Sequence, residues 1–171
     1  MRRRGFFKRT FSGLLALIGA RAQSVREEDL RDLATVVLPP SLGRSRTDRI
    51  AGDFLRWIRD YKSGAEIASG YGNPRTQVVG PNPSTHYADQ LNQLALAKLD
   101  AAAQRAAVEK ALADAGIDRI PPRPNGKHVA ADLLAYFYNS AEGEDFLYGV
   151  AIQRDDCRGL ADSGKRPARF T

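Results

Sequence analysis

Apolar residues recur at helical spacing along most of the chain beyond residue 24. The clearest stripe lies in "IAGDFLRWIRDY", where Ile50, Phe54, Trp57, Ile58 and Tyr61 fall on one face of a helix. A tryptophan in such a stripe is expected to anchor the core or an interface. The pattern therefore predicts an amphipathic second helix.

A capping box and a pair of prolines bound the helix before it. Ser24 and Glu27 have the spacing in which a serine and a glutamate close the first amides of a helix reciprocally. Pro39 and Pro40 cannot continue a helix, so the first helix is predicted to end there. A polar turn, "SLGRSRTDR", is predicted to lead into the second helix.

Further helices are predicted after the segment "NPS". The third helix is predicted to run through Leu99, and Asp100 is predicted to cap an alanine-rich fourth helix that Gly116 terminates. A fifth helix begins near His128, and "EDFLYGVAI" forms a last short one. The sequence thus predicts an all-α fold, a single small domain of five to six helices.

A long Gly/Pro-rich loop over residues 63–83 is predicted between the second and third helices. Apart from residues 76–79, no alternating strand pattern is present. Long loops in compact domains are usually functional or disordered, and ordering one has a large entropic cost. We expect Tyr71, Val78 and Val79 to lie on a surface that contacts a partner, where docking would offset that cost.

The N-terminal segment "RRGFFKRTFSGLLALIGARA" has a basic start, a short apolar run and a small-residue cleavage site. Its start resembles the twin-arginine consensus. The residues that carry the signal are Arg3, Arg4, Phe6, Phe7 and Lys8, with Ala20 and Ala22 at the cleavage site. We predict a twin-arginine signal peptide over 1–22, a mature domain over 23–171 and a periplasmic location. An uncleaved basic anchor is the alternative.

The net charge of +6 comes entirely from that segment. Six of the 26 basic residues and none of the 20 acidic ones lie within 1–22, so the rest of the chain is formally neutral. Phosphate binding requires a basic surface, and no nucleic-acid partner is expected. No apolar run in the mature chain approaches the roughly 20 residues that a membrane span requires.

Candidate chemical groups are few. His86 and His128 stand alone, without the spacing of a metal site. Glu142, Glu144 and Asp145 are expected to be solvated acids at the positive end of a helix. The sequence therefore predicts no catalytic, cofactor-binding or metal-binding residue in this chain, and a protein that is not an enzyme.

Cys157 is the single cysteine, within "QRDDCRGL". The neighbouring aspartates oppose thiolate formation, which argues against a nucleophile. Three states remain open: a buried apolar side chain, an intersubunit disulfide with a partner, and an exposed free thiol.

The export route carries proteins that fold before export, commonly around a cofactor. A small helical protein with no visible cofactor site has little need of that route for itself. We therefore interpret the signal as an address carried on behalf of a folded partner. The alternative is a free-standing periplasmic helical protein that binds an unknown ligand or has a structural role.

Four stretches resemble the gluconate 2-dehydrogenase subunit 3 family. They are "RRGFFKRTF", "LRDLATVVLPPSLG", "IAGDFLRWIRDYKSGAE" and "ADLLAYFYNSAEGEDFLYGVAIQRDDCRGL". The resemblance implies a non-catalytic small subunit and export chaperone of a periplasmic, membrane-associated flavin dehydrogenase that acts on a sugar or sugar acid. It also implies a large FAD-binding partner subunit, often with a cytochrome subunit. The C-terminal "DDCRGLADSG" departs from the Gly/Tyr/Pro-rich end expected of the family, which leaves the partner's substrate open.

Overall fold

A computed structural model describes residues 24–70, 73–151, 164 and 168–169. The predictions for Tyr71, for Cys157 and for the signal peptide lie outside the described residues.

Six α-helices account for most of the described structure, which confirms the all-α prediction. They are α1 (Glu27–Val37), α2 (Gly43–Asp60), α3 (Tyr87–Leu94), α4 (Ala101–Asp114), α5 (Val129–Tyr138) and α6 (Ala141–Tyr148). Short 3-10 turns occur at Pro40–Leu42, Pro83–His86 and Leu96–Lys98.

Helix α5 is at the centre of the domain and packs against each of the other five helices. Its Val129, Leu133 and Phe137 are fully buried. The most extensive helix–helix contact joins α1 to α2, where Leu30 and Phe54 are also fully buried. This single core fixes the ends of α2 and α5, which form the site described below.

The segment predicted as a loop instead contains a β-hairpin. Strands β1 (Gly64–Gly70) and β2 (Asn73–Val79) pair antiparallel, with Gly64 opposite Val79. The loop prediction is therefore wrong for residues 64–70 and 73–79, and we call these two paired strands the arm. The arm is held by backbone hydrogen bonds, and its glycines and polar residues leave little apolar alternation for a sequence pattern to detect. A second short pair joins β3 (Val150–Ala151) to β4 (Ala168–Arg169).

Two predicted helix starts also need correction. Helix α1 begins at Glu27 with Arg26 as its N-cap and no side-chain capping bond, so the Ser24 capping box is wrong. Glu27 does not reach back, because its carboxylate accepts a 2.6 Å hydrogen bond from Arg31. Helix α2 begins at Gly43, so most of the predicted polar turn is helical.

The third helix is shorter than predicted. It ends at Leu94 because Ala95 adopts a left-handed conformation with φ of 45°, and a 3-10 turn follows. This turn buries Leu96 in the core. Asp100 caps α4 as predicted, accepting hydrogen bonds from the amides of Ala102 and Ala103.

Candidate functional site

One candidate site is a cleft of about 870 Å³. Four parts of the chain form its walls: the C-terminal end of α2, the segment that follows the arm, the loop before α5, and the end of α5. Three aromatic side chains, Trp57, Tyr61 and Tyr136, line it. We call it the aromatic cleft.

The aromatic wall is held in place from the core. Trp57 stacks on the fully buried Phe54, with ring centroids 5.6 Å apart and an interplanar angle of 12°. Tyr61 meets Trp57 edge-on at 5.2 Å, and Tyr136 lies 5.8 Å from Trp57. Such geometries are those that aromatic pairs prefer, so the rings support one another.

Polar groups complete the lining. His86, Arg123, Asn125 and Asn139 are exposed side chains of the cleft. The Asn139 side chain is fixed, because its amide nitrogen donates to the carbonyl of Pro122 at 2.9 Å and to that of Ala135 at 2.7 Å. None of the residues that line the cleft is acidic.

A buried carboxylate holds the loop that forms one wall of the cleft. Asp132 is fully buried near the start of α5. Its carboxylate accepts hydrogen bonds from the Asn125 amide at 2.9 Å, from the Gly126 amide at 2.7 Å and from the Tyr87 hydroxyl at 2.5 Å. Burying a carboxylate is costly unless it is hydrogen-bonded, and these three donors satisfy it. The loop, α3 and α5 are therefore joined through one side chain.

The environment of that carboxylate also affects its neighbours. Burial, together with the hydrogen bond to Asp132, raises the pKa of Tyr87 far above its ordinary value. Burial lowers the pKa of His128, which caps α5 by accepting the Ala130 amide at its Nδ1 atom. Both side chains thus remain neutral near pH 7, and His128 has a structural role.

Two further contacts fix the same loop. The Gln90 side-chain amide donates to the Lys127 carbonyl at 2.9 Å, and its oxygen accepts from the Val129 amide at 2.8 Å. Gly126 has φ of 83°, and a Cβ there would lie 3.0 Å from the carbonyl oxygen of Pro83. Glycine is therefore required where the loop approaches the chain that follows the arm.

Of the residues predicted to contact a partner, Val78 and Val79 are described. Val78 is 80% exposed and Val79 is half-buried, and both line the aromatic cleft. Their predicted role as a partner interface is not tested by this placement and stays a prediction.

The remaining candidate groups are the histidines and the acidic residues of α6. Within the part of the chain that the structure describes, no three His, Cys, Asp or Glu side chains are grouped to hold a metal ion. The expectation of solvated acids holds for Glu144, which is exposed. It is wrong for Glu142, which accepts a 2.6 Å hydrogen bond from Arg49, and for Asp145, which is buried.

Sequence reasoning missed Asp132. Its signal is a single acid within the apolar segment "VAADLLAYFY", directly after a loop rich in proline, asparagine and glycine. An acid in the first turn of a helix is ordinary, since it favours the positive end of the helix dipole. Only the packing of α3 and the loop against this face identifies it as buried.

Comparison with protein-family models, with curated proteins and with solved structures gives no match to this chain. Among the described helices, none combines the length and apolar character that crossing a bilayer demands.

Proposed function

We propose that this chain is a non-catalytic, partner-binding subunit that carries a twin-arginine signal for a folded partner. The resemblance in the sequence specifies that partner as a periplasmic flavin-dependent sugar or sugar-acid dehydrogenase with its own FAD. The complex would be associated with the inner membrane through the partner or a cytochrome subunit.

The observation that carries the proposal is the arm. Each strand has seven residues, so the arm is about 20 Å long at roughly 3.4 Å per residue. Its strands make their main contacts with each other, and among the described residues no third strand joins them. A lone two-stranded hairpin is marginally stable in water, and open strand edges readily pair with another chain.

The C-terminal end of β2 adds exposed apolar surface to the arm. Val78 is 80% exposed, next to the half-buried Val79. A partner that covers this surface would stabilise the arm and would gain a strand-addition interface, in which backbone hydrogen bonds supply affinity. The arm therefore supports a binding role.

The register of the arm permits a clean excision test. Because Gly64 and Val79 are direct cross-strand partners, residues 64–79 can be replaced by a short glycine linker without separating α2 from the chain that follows. The tagged full-length chain should co-purify with a flavin-containing protein that oxidises a sugar or sugar acid with an artificial electron acceptor. The excised variant should lose that protein while keeping its helical circular dichroism.

A matched pair of substitutions sharpens the test. Val78→Ser should weaken co-purification, whereas Ile120→Ser, at an apolar residue 44% exposed outside the arm, should leave it unchanged. Equal yields of the flavoprotein with the wild-type and excised chains would refute the role of the arm. A partner that lacks flavin would refute the dehydrogenase assignment alone.

A further inference from the structure

We propose that Asn125–Gly126 is a latent modification site, at which the Gly126 nitrogen attacks the Asn125 side-chain amide once the Asp132 carboxylate releases it. The product is aspartate or isoaspartate at position 125. This inference does not rest on the proposed function, because it concerns only the chemistry of the loop before α5.

The dipeptide itself is chemically reactive. An asparagine followed by glycine occurs once in the chain, at residues 125–126. Glycine has no Cβ beside the attacking nitrogen, and its backbone reaches conformations that other residues avoid, so the five-membered ring closes readily. Asn125 is exposed, so water has access to the ring that forms.

The reaction has two steps and consumes only water. In the first step a bond forms between the Gly126 nitrogen and the Asn125 Cγ atom, and the bond from Cγ to Nδ2 breaks. The proton that Gly126 loses leaves with Nδ2 as ammonia, and a cyclic imide remains. In the second step water opens the imide at either carbonyl, which gives aspartate or isoaspartate.

The folded chain withholds the attacking nitrogen. The Gly126 N–H donates to the Asp132 carboxylate at 2.7 Å, and the Asn125 N–H donates to the same carboxylate at 2.9 Å. Attack on Cγ requires the peptide plane to rotate, which breaks these bonds. The negative charge beside the N–H also disfavours the loss of its proton. Because Asp132 is fully buried, it stays in place while the fold is intact.

The atom under attack is not protected in the same way. The Lys127 amide donates to Asn125 Oδ1 at 3.0 Å. This bond withdraws electron density from Cγ and would by itself favour the reaction. The loop thus holds an activated carbonyl next to a restrained nitrogen. The restraint by Asp132 therefore sets the rate.

The modification would be permanent, because the ammonia is lost. Isoaspartate adds a backbone methylene directly before Gly126, whose chain passes so close to Pro83 that a Cβ would lie 3.0 Å from the Pro83 carbonyl oxygen. Aspartate places a carboxylate in the aromatic cleft, whose lining contains no acidic residue. A molecule in which the contacts of Asp132 have opened for long enough therefore retains a chemical record of that opening.

Peptide mass spectrometry of the full-length protein tests the proposal in mildly alkaline buffer, with the chain folded or unfolded in guanidinium chloride. We expect Asn125 to be modified about a hundredfold more slowly in the folded chain. Attack must break two hydrogen bonds to a charged acceptor, and each shifts the opening equilibrium by roughly tenfold.

A variant and an internal control identify the carboxylate as the cause. Asp132→Asn removes the charge and one acceptor oxygen, so it should accelerate modification of Asn125 in the folded protein by about tenfold. Asn139 is the control, because the next amide, that of Ser140, donates to the Phe137 carbonyl at 2.9 Å and not to Asp132. Its rate should not change.

Three outcomes would overturn the proposal. They are equal rates at Asn125 in the folded and unfolded chains, an unchanged rate at Asn125 in Asp132→Asn, and parallel acceleration at Asn125 and Asn139. The last would assign the effect to general unfolding. The comparison of folded with unfolded protein uses the wild-type chain, so it can refute the proposal even if the variant fails to fold.

Discussion

The hydrogen bond from Tyr87 to Asp132 should contribute about 2 kcal/mol to the free energy of unfolding, since bonds to charged groups contribute about 1.5–3 kcal/mol. Both side chains are fully buried, and the two oxygen atoms are 2.5 Å apart. Tyr87→Phe removes the hydroxyl and leaves the ring in the core. The carboxylate keeps its two backbone donors, so we expect a loss of about 2 kcal/mol and an intact fold.

Removing the carboxylate itself should cost more. Asp132→Ala leaves the Tyr87 hydroxyl and two backbone amides without their acceptor, and each buried group that loses its partner costs about 1–3 kcal/mol. We expect a loss of about 4 kcal/mol. In the Tyr87→Phe background the same substitution should cost less, because the hydroxyl is no longer left unpaired. The difference between the two costs is the coupling energy of the pair.

Urea unfolding followed by circular dichroism and by Trp57 fluorescence measures these free energies. Tyr138→Phe is the matched control: Tyr138 is half-buried and its hydroxyl makes no hydrogen bond to the described residues, so the free energy of unfolding should change by no more than about 0.5 kcal/mol. If Tyr87→Phe is as neutral as this control, the bond adds no net stability and the reasoning is refuted. Additive losses in the double variant would show that the two side chains act independently.

Three further predictions use the same unfolding assay or an export assay. Gly143→Ala should cost about 3 kcal/mol or more, because its Cβ would lie 2.0 Å from a backbone carbonyl oxygen. Gly52→Ala, in the middle of α2, should add about 0.5–1 kcal/mol to the free energy of unfolding, because its Cβ would make only an ordinary contact with Glu27 Oε1 at 4.0 Å; equal effects of the two substitutions would contradict this reasoning. Because burial lowers the pKa of His128, stability should fall as pH drops below about 6.5, the ordinary histidine value, toward the lowered value in the folded state. His128→Asn keeps a capping side chain that does not titrate, so it should remove this loss of stability. Parallel plots of stability against pH for the wild type and the variant would exclude His128 as the source of the loss. Replacing Arg3 and Arg4 together with lysine should leave the precursor in the cytoplasm at unchanged charge, and normal export of that variant would exclude the twin-arginine route.

Helices with a regular apolar face were predictable from the sequence. The stripe through Phe54 and Ile58 identified α2, and the predicted cap at Asp100 is present. The ends of the helices were harder to predict, because they depend on side-chain pairing and on packing as well as on local sequence. Glu27 was expected to bind the backbone and binds Arg31 instead, and Ala95 ends α3 so that the following turn can bury Leu96.

The candidate site was harder to predict than the helices. The arm depends on pairing between backbones, which Gly64 and Gly70 permit but do not signal. The cleft joins residues far apart in sequence, such as Trp57 and Asn139, and no local pattern connects them. Its central support, Asp132, has the sequence signal of an ordinary helix-start acid. The arm, the cleft and the buried position of Asp132 can be identified only from the tertiary structure.

The hydrogen bonds to the Asp132 carboxylate also affect how fast the amide protons of the adjoining loop exchange with solvent. The amides of Asn125 and Gly126 lie outside any helix or strand, where amide protons ordinarily exchange rapidly with deuterium. Both donate to a fully buried acceptor, so exchange requires the cluster around Asp132 to open. Their protection should therefore match that of the amides in α5. We therefore expect these two loop amides to exchange together with the most stable part of the domain.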